Sequence, residues 1–200
     1  MNKELGLLSI VRRKKPDYKY GDAHRKFDNL IQQDFTAEKP NQKWATDFTY
    51  LFLTGGDVRY NCTIIDLHDR SVIASITDRH ITSDLAIRTL DKALASQKSI
   101  SPDLILHSDQ GVQYTSKAFI EYCDNHGVTQ SMSKAGYPYD NAPMERYFNT
   151  LKNEEIYLHQ YHTEEQLYEA VEQFAYVKYN HVRPHSYNGY RTPFEARYAA

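Results

Sequence analysis

Short apolar runs separated by turn residues dominate the chain from Trp44 onward, whereas the first forty positions show no sustained period. "WATDFTYLFL" (44–53) and "RYNCTIIDLHD" (59–69) predict two strands joined through "TGGD", where Gly55 and Gly56 supply positive φ for a hairpin. "SVIASITD" (71–78) predicts a third strand. The period then changes. "TSDLAIRTLDKALASQ" (82–97) sets Leu85, Leu90, Ala93 and Leu94 near helical spacing, with Thr82 or Ser83 as the cap. "DLILHSD" (103–109) fits a short buried strand, "TSKAFIEYCDNHG" (115–127) a helix closed by Gly127, and "VTQSM" (128–132) another strand. "GYPYDNAPMERYFNTLK" (136–152) reads as a breaker-rich turn feeding a helix. Residues 163–180 open with Thr163 and Gln166 in capping-box spacing and present Leu167, Val171, Phe174 and Val177 as one face.

The resulting order is three strands, helix, strand, helix, strand, then helices. It predicts an α/β fold with a mixed sheet: an antiparallel three-strand half, then helix-linked parallel strands, with helices on the faces. Pro16 and Gly21 break "VRRKKPDYKYGD", and Pro40 sits in a second breaker-rich stretch, "FTAEKPNQK" (35–43). Residues 1–40 are therefore expected to be an arm and linker, and 41–200 the compact domain with a C-terminal helical extension.

Composition narrows the class. Of 200 residues, 40% are hydrophobic and 25% charged, as in ordinary globular domains. Only Cys62 and Cys123 are present, far apart, which argues against a disulfide scaffold or a cysteine zinc module. No apolar run reaches membrane-spanning length, and a cytoplasmic location is expected. The net charge of −2 conceals an asymmetry. Residues 1–26 carry eight basic side chains (Lys3, Arg12, Arg13, Lys14, Lys15, Lys19, Arg25, Lys26) against Glu4, Asp17 and Asp22, a local +5. A basic arm on an acidic body suits nucleic-acid contact, and equally a solvated tail.

Three carboxylates occupy unusual places. Asp47 falls in the middle of the first predicted strand, where an unpaired charge is costly to bury. Asp109 ends another strand, before Gly111, and ligand sites in open α/β sheets lie beyond strand carboxyl ends. Glu145 begins a helix. Two have a bland reading, Asp109 as a turn acceptor and Glu145 as a complement to the helix dipole, whereas a strand interior gives Asp47 no local role. Together they suit a pair of divalent cations, which prefer oxygen ligands and clamp the attacking and leaving oxygens of a phosphodiester.

"WATDFTY", "LILHSDQGVQYTS", "DNAPMERYFNTLK" and "YNHVRPHSYNGYRTPFEARY" occur in the order and spacing of one family. The chain resembles the catalytic subunit (OrfB) of insertion-sequence transposases of the IS-three family, within the retroviral-integrase superfamily. The match covers roughly residues 41–198, and 35 residues separate Asp109 from Glu145, the spacing expected of this family. The resemblance implies a ribonuclease-H-like fold with Asp47, Asp109 and Glu145 as a catalytic, metal-binding DDE triad. It implies Mg2+, with Mn2+ as a substitute, and DNA strand cleavage and transfer. Lys152, seven residues after Glu145, falls where the family carries a DNA-contacting basic residue, and Arg146 together with Arg12, Arg13, Lys14 and Lys15 are further candidates for DNA contact. No zinc is expected: His181/His185 and His159/His162 have ligand-like spacing, but Pro184 interrupts the first pair and no cysteine pair accompanies either.

Family members carry a longer DNA-recognition region ahead of this core. The first residues resemble only its tail, which implies a truncated copy or a fragment of a two-frame product. The expected partners are DNA (element ends and target), further copies of the chain on DNA, and an upstream-frame OrfA product. Two alternatives stand beside strand transfer: a nuclease that cuts without joining, and a copy that binds DNA or a full-length partner without autonomous transposition. Tyr179, Asn180, Arg183 and His185 are expected to pack the C-terminal signature onto the core.

Overall fold

A computed structural model describes residues 25–134 and 137–199. The sheet runs β3 (Val72–Asp78), β2 (Val58–Asp66), β1 (Lys43–Phe52), β4 (Ile105–Ser108), β5 (Thr129–Met132). β1–β2–β3 is an antiparallel meander, while β4 and β5 pair parallel to β1 and to each other. This is the mixed sheet expected from the pattern. At the first hairpin only Gly56 takes a positive φ, 90°, so one of the two predicted glycines does that work.

The helices divide between the two faces, and alternation along β1 decides which side chain meets which. Trp44, fully buried, packs with Leu90 of α1 (Ser83–Ser96) and with Phe119 and Cys123 of α2 (Lys117–Asn125). Ala45 and Leu51 point the other way, toward Met144, Tyr147 and Leu151 of α3 (Ala142–Glu154) and Leu167 of α4 (Glu164–Glu172). Caps start these helices where the sequence places them. The Thr82 and Ser116 hydroxyls accept from Leu85 and Phe119 N–H, and Thr163 with Gln166 closes a capping box.

Two expectations need correction. The helix predicted over 163–180 is α-helical only to Glu172. Gln173–Val182 is π-helical, and its wider turn moves the buried face off the 3.6-residue period. Val177 is consequently 49% exposed, whereas Ala175 and Tyr179 are buried beside Phe174. Packing also crosses the boundary expected after Pro40. Ile31 is only 2% exposed within the core on the α3 side, and Phe27 and Phe35 pack against the two cores.

The C-terminal signature closes the fold. Asn180 spans the outer edge of β3, accepting from Val72 N–H and donating to Val72 O, and the Tyr176 hydroxyl accepts from Ser75 N–H. Arg183 forks onto Glu154 at the end of α3, while Lys178 Nζ donates to the Glu154 carbonyl, a favourable cation at a helix C-terminus. The Tyr179 hydroxyl meets His185 Nε2, and its ring stands edge-on to Tyr147. The short helix α5 (Pro193–Arg197) delivers Arg197 to Asp66 and Asp69, both almost completely buried, and to Asn41 and Gln97. Removing one partner of a buried ion pair leaves the other charge uncompensated. Arg197→Ala is therefore expected to lower unfolding free energy by about 3–5 kcal/mol, with Arg197→Lys only partly restoring it because lysine lacks the fork. Urea unfolding measures this, and a loss near zero would show that the network carries no stability.

Candidate active site

The parallel pairing of β1 with β4 runs Lys43 to Ile105, Trp44 to Leu106 and Ala45 to His107. Continued by two residues, the same register sets Asp109, just past the end of β4, level with Asp47. Directly paired residues of parallel strands point to the same face. Ala45 packs against α3, so Asp47 and Asp109 project toward α3 as well. Residues that look unrelated in the sequence are thus neighbours on one side of the sheet.

α3 brings the third acid. Its N-terminal turn follows a 3-10 turn, Pro138–Asn141, and is tied to both strands. Asn141 Nδ2 donates to Thr46 O, the residue before Asp47, and the Asp140 carbonyl contacts His107 Nε2 at 2.8 Å, two residues before Asp109. Pro143 sits in the first turn, where its missing N–H is harmless. Glu145 and Lys152 lie two turns apart on α3, and Asp47 experiences the charge of both.

The electrostatics follow from crowding. Burial first, then the Asp109 charge, then that of Glu145, raise the Asp47 carboxyl to about 7, against the Phe48 N–H and Lys152. Asp109 keeps contact with solvent, yet the protein packed around its carboxyl raises it too, opposed by the Gly111 N–H at 2.9 Å. The turn-acceptor reading of Asp109 is therefore true as far as it goes. Gly111 is needed for room: a Cβ there would sit 2.9 Å from Asp109 Oδ1. Lys152 is half-buried and lowered by desolvation, with Asp47 pulling it back up.

Among the described residues no three His, Cys, Asp or Glu side chains are already gathered as a cage for an ion. Asp47 nevertheless lies in the field of both other acids. Glu145 and Arg146 are exposed on α3. Arg12, Arg13, Lys14 and Lys15 lie outside the described residues. His159 contacts Glu155, His181 lies against the Phe194 ring, and His185 meets Tyr179. His107 and Asp140 were missed by sequence reasoning. The signal was a histidine at an inward position of a short apolar strand, two residues from an acid already singled out.

The integrase core domain family model matches residues 37–138, and a second integrase core model matches 126–193. Transposase InsF for insertion sequence IS3A of Escherichia coli (strain K12) is 37% identical over 166 residues, covering 83% of this chain and 57% of InsF. An uncharacterized transposase-like protein of Haemophilus influenzae is 35% identical over 179 residues, covering 90% of this chain and 81% of that protein. The chain belongs to the integrase core family, and over that core it is similar to insertion-sequence transposases. It spans just over half the length of InsF. The integrase core fold is also that of the HTLV-2 integrase catalytic core domain solved in complex with magnesium, with a TM-score of 0.61 and 16% identity over 81% of this chain and 99% of that one. The ribonuclease-H-like architecture expected from the resemblance is therefore present, and no described helix of this integrase core is long and apolar enough to cross a membrane.

A carboxyl that binds its proton more tightly when folded costs stability once it ionises. Asp47, raised from 3.8 to about 7, should therefore make the metal-free protein less stable as pH climbs through that interval, with no further loss above it. Asp47→Asn should remove this slope, melting higher than wild type at pH 8 and no higher at pH 4. Melting temperatures across pH 4–8 check it, and parallel curves for the two proteins would contradict the raised carboxyl.

Proposed function

We propose that this integrase core carries out metal-dependent DNA strand cleavage and strand transfer for an insertion sequence, with Asp47, Asp109 and Glu145 as the catalytic triad. What supports the reading is one observation: Asp47 in β1 feels the charge of Asp109, just past β4, and of Glu145 on α3, at a cost in raised carboxyl pKa. Such a cost is tolerable where cations are meant to relieve it.

The donor set fits a hard divalent cation. All three side chains offer oxygen only, the ligand type Mg2+ and Mn2+ prefer, and no ion pair with any of the three carboxylates is found among the described residues. Asp47 and Asp109 would hold the ions and Glu145 would complete the second coordination sphere. Bound there, the ions would stabilise the negative charge that develops on the phosphate being transferred.

The chain's own residues do the rest. The β1–β4 register would hold two acids level with each other, and the strand-tied start of α3 would carry the third toward them. Lys152, half-buried beside Asp47, places a cation where a DNA phosphate enters the site, and Arg146 extends that charge along the exposed side of α3. The basic arm, including Arg12, Arg13, Lys14 and Lys15, follows the DNA backbone, so binding weakens steeply with salt. In cleavage, water displaces the 3′ oxygen of the element's end as a free 3′-hydroxyl. In joining, that hydroxyl displaces the 3′ oxygen of a target phosphodiester, so one such bond forms as one breaks. The substrates are element ends and target DNA, acted on by more than one copy of the chain and with an upstream-frame product as a further partner, in the bacterial cytoplasm.

Glu145→Gln is expected to cut Mg2+-dependent nicking and joining by more than about a hundredfold, the scale of losing one transition-state charge stabiliser, without changing the unfolding midpoint. A substrate with a pre-cut 3′-hydroxyl end separates the activities. Joined product supports strand transfer, hydrolysis alone makes the protein a nuclease, and full activity in Glu145→Gln overturns the triad.

A further inference from the structure

Asp140 is 3% exposed, and its carboxylate is held by three donors. One is local, the Lys134 N–H at 3.0 Å. The other two come from more than a hundred residues earlier: Asn29 Nδ2 at 3.0 Å and Gln33 Nε2 at 2.8 Å. Two of the three groups that make this buried carboxylate tolerable thus belong to the stretch leading into the domain.

The same stretch grips Asp140 a second time, through its carbonyl. Leu30 N–H donates to Ser131 Oγ, and Ser131 Oγ meets His107 Nδ1 at 2.9 Å. A carbonyl only accepts, so His107 Nε2 carries the proton donated to Asp140 O. Nδ1 is then the acceptor, and the Ser131 hydroxyl donates to it while accepting from Leu30. Burial lowers the His107 pKa and keeps that neutral form in place. Residues 29–33, Ser131, His107 and Asp140 close a ring of hydrogen bonds. Ile31, at the middle of the stretch, buries in the same core as Met144, the residue before Glu145.

Asp140 lies five residues before Glu145, in the 3-10 turn that runs directly into α3. We propose that residues 29–33 are a strap whose hold on Asp140 fixes where Glu145 stands relative to Asp47 and Asp109. The inference rests on the triad reading above. Asp140 and Gln33 are positioning residues; neither touches substrate.

The test uses the full 200-residue chain and two readouts: Mn2+ binding by electron paramagnetic resonance without DNA, and the Mg2+ concentration for half-maximal joining. Gln33→Glu sets a like charge against Asp140. It should weaken Mn2+ binding and raise the Mg2+ requirement by about tenfold, the scale of losing one buried charged hydrogen bond, with joining at saturating metal near wild type. Gln33→Glu combined with Asp140→Asn exchanges donor and acceptor and should restore both readouts. Asn29→Ala removes one donor without adding charge and carries the test, at smaller amplitude, if Gln33→Glu does not fold. Wild-type Mn2+ binding in the folded strap variants, or a defect that the paired exchange leaves in place, overturns the strap. Glu145→Gln separates the two ideas. If it leaves metal binding and joining intact, the triad reading has failed; if it abolishes joining while the strap variants behave as wild type, only the strap has failed.

Discussion

The parallel register between β1 and β4 is the constraint on which the rest of the molecule depends. It places two carboxylates level with each other on one face of the sheet, where among the described residues neither has a cation bonded to it. Backbone pairing is what makes that arrangement sustainable. The repulsion works against a ladder of hydrogen bonds and against Trp44, Ala45 and Leu106, all buried around it. A pair of acids on flexible loops would swing apart at little cost. Here Asp47 is fixed within β1 and Asp109 directly follows β4, and crowding and burial raise both carboxyl pKa values.

The third acid is held differently. Glu145 rides on a helix, and a helix is fixed by what grips its ends and its underside. Thr46 and His107 bind the first turn, Lys178 and Arg183 bind the last, and Met144, Tyr147 and Leu151 seat the middle in the core. The π-helical segment belongs to this clamp. Its wider turn sets Phe174 and Tyr179, five residues apart, on one side, both against Tyr147.

Much of the fold was legible because period and caps are local. Every strand emerged near its expected place, and Thr82, Ser116 and Thr163 cap the helices whose starts they mark. What escaped was non-local. No local rule turns the helix after Glu172 into a π-helix; that register follows from contacts with β3 and α3. The pairing of Asn29 and Gln33 with Asp140 spans more than a hundred residues, so the breaker-rich stretch around Pro40 looked like an end of the domain when packing had already begun at Phe27. For the three acids, sequence could mark each as oddly placed, and family resemblance grouped them. For Asp47 and Asp109 the reason they are neighbours, equal offsets along two paired strands, exists only in the sheet.

Asn180 and Tyr176 have a consequence for the edge of the sheet. An outer strand with bare N–H and C=O groups invites a neighbour to extend the sheet. Side chains occupy that position along β3, and at β5 the backbone of Asp28 takes the Met132 N–H while Leu30 bonds Ser131. Two copies joining edge to edge would first have to strip away one of these covers. With both edges covered, the sheet stays five strands wide.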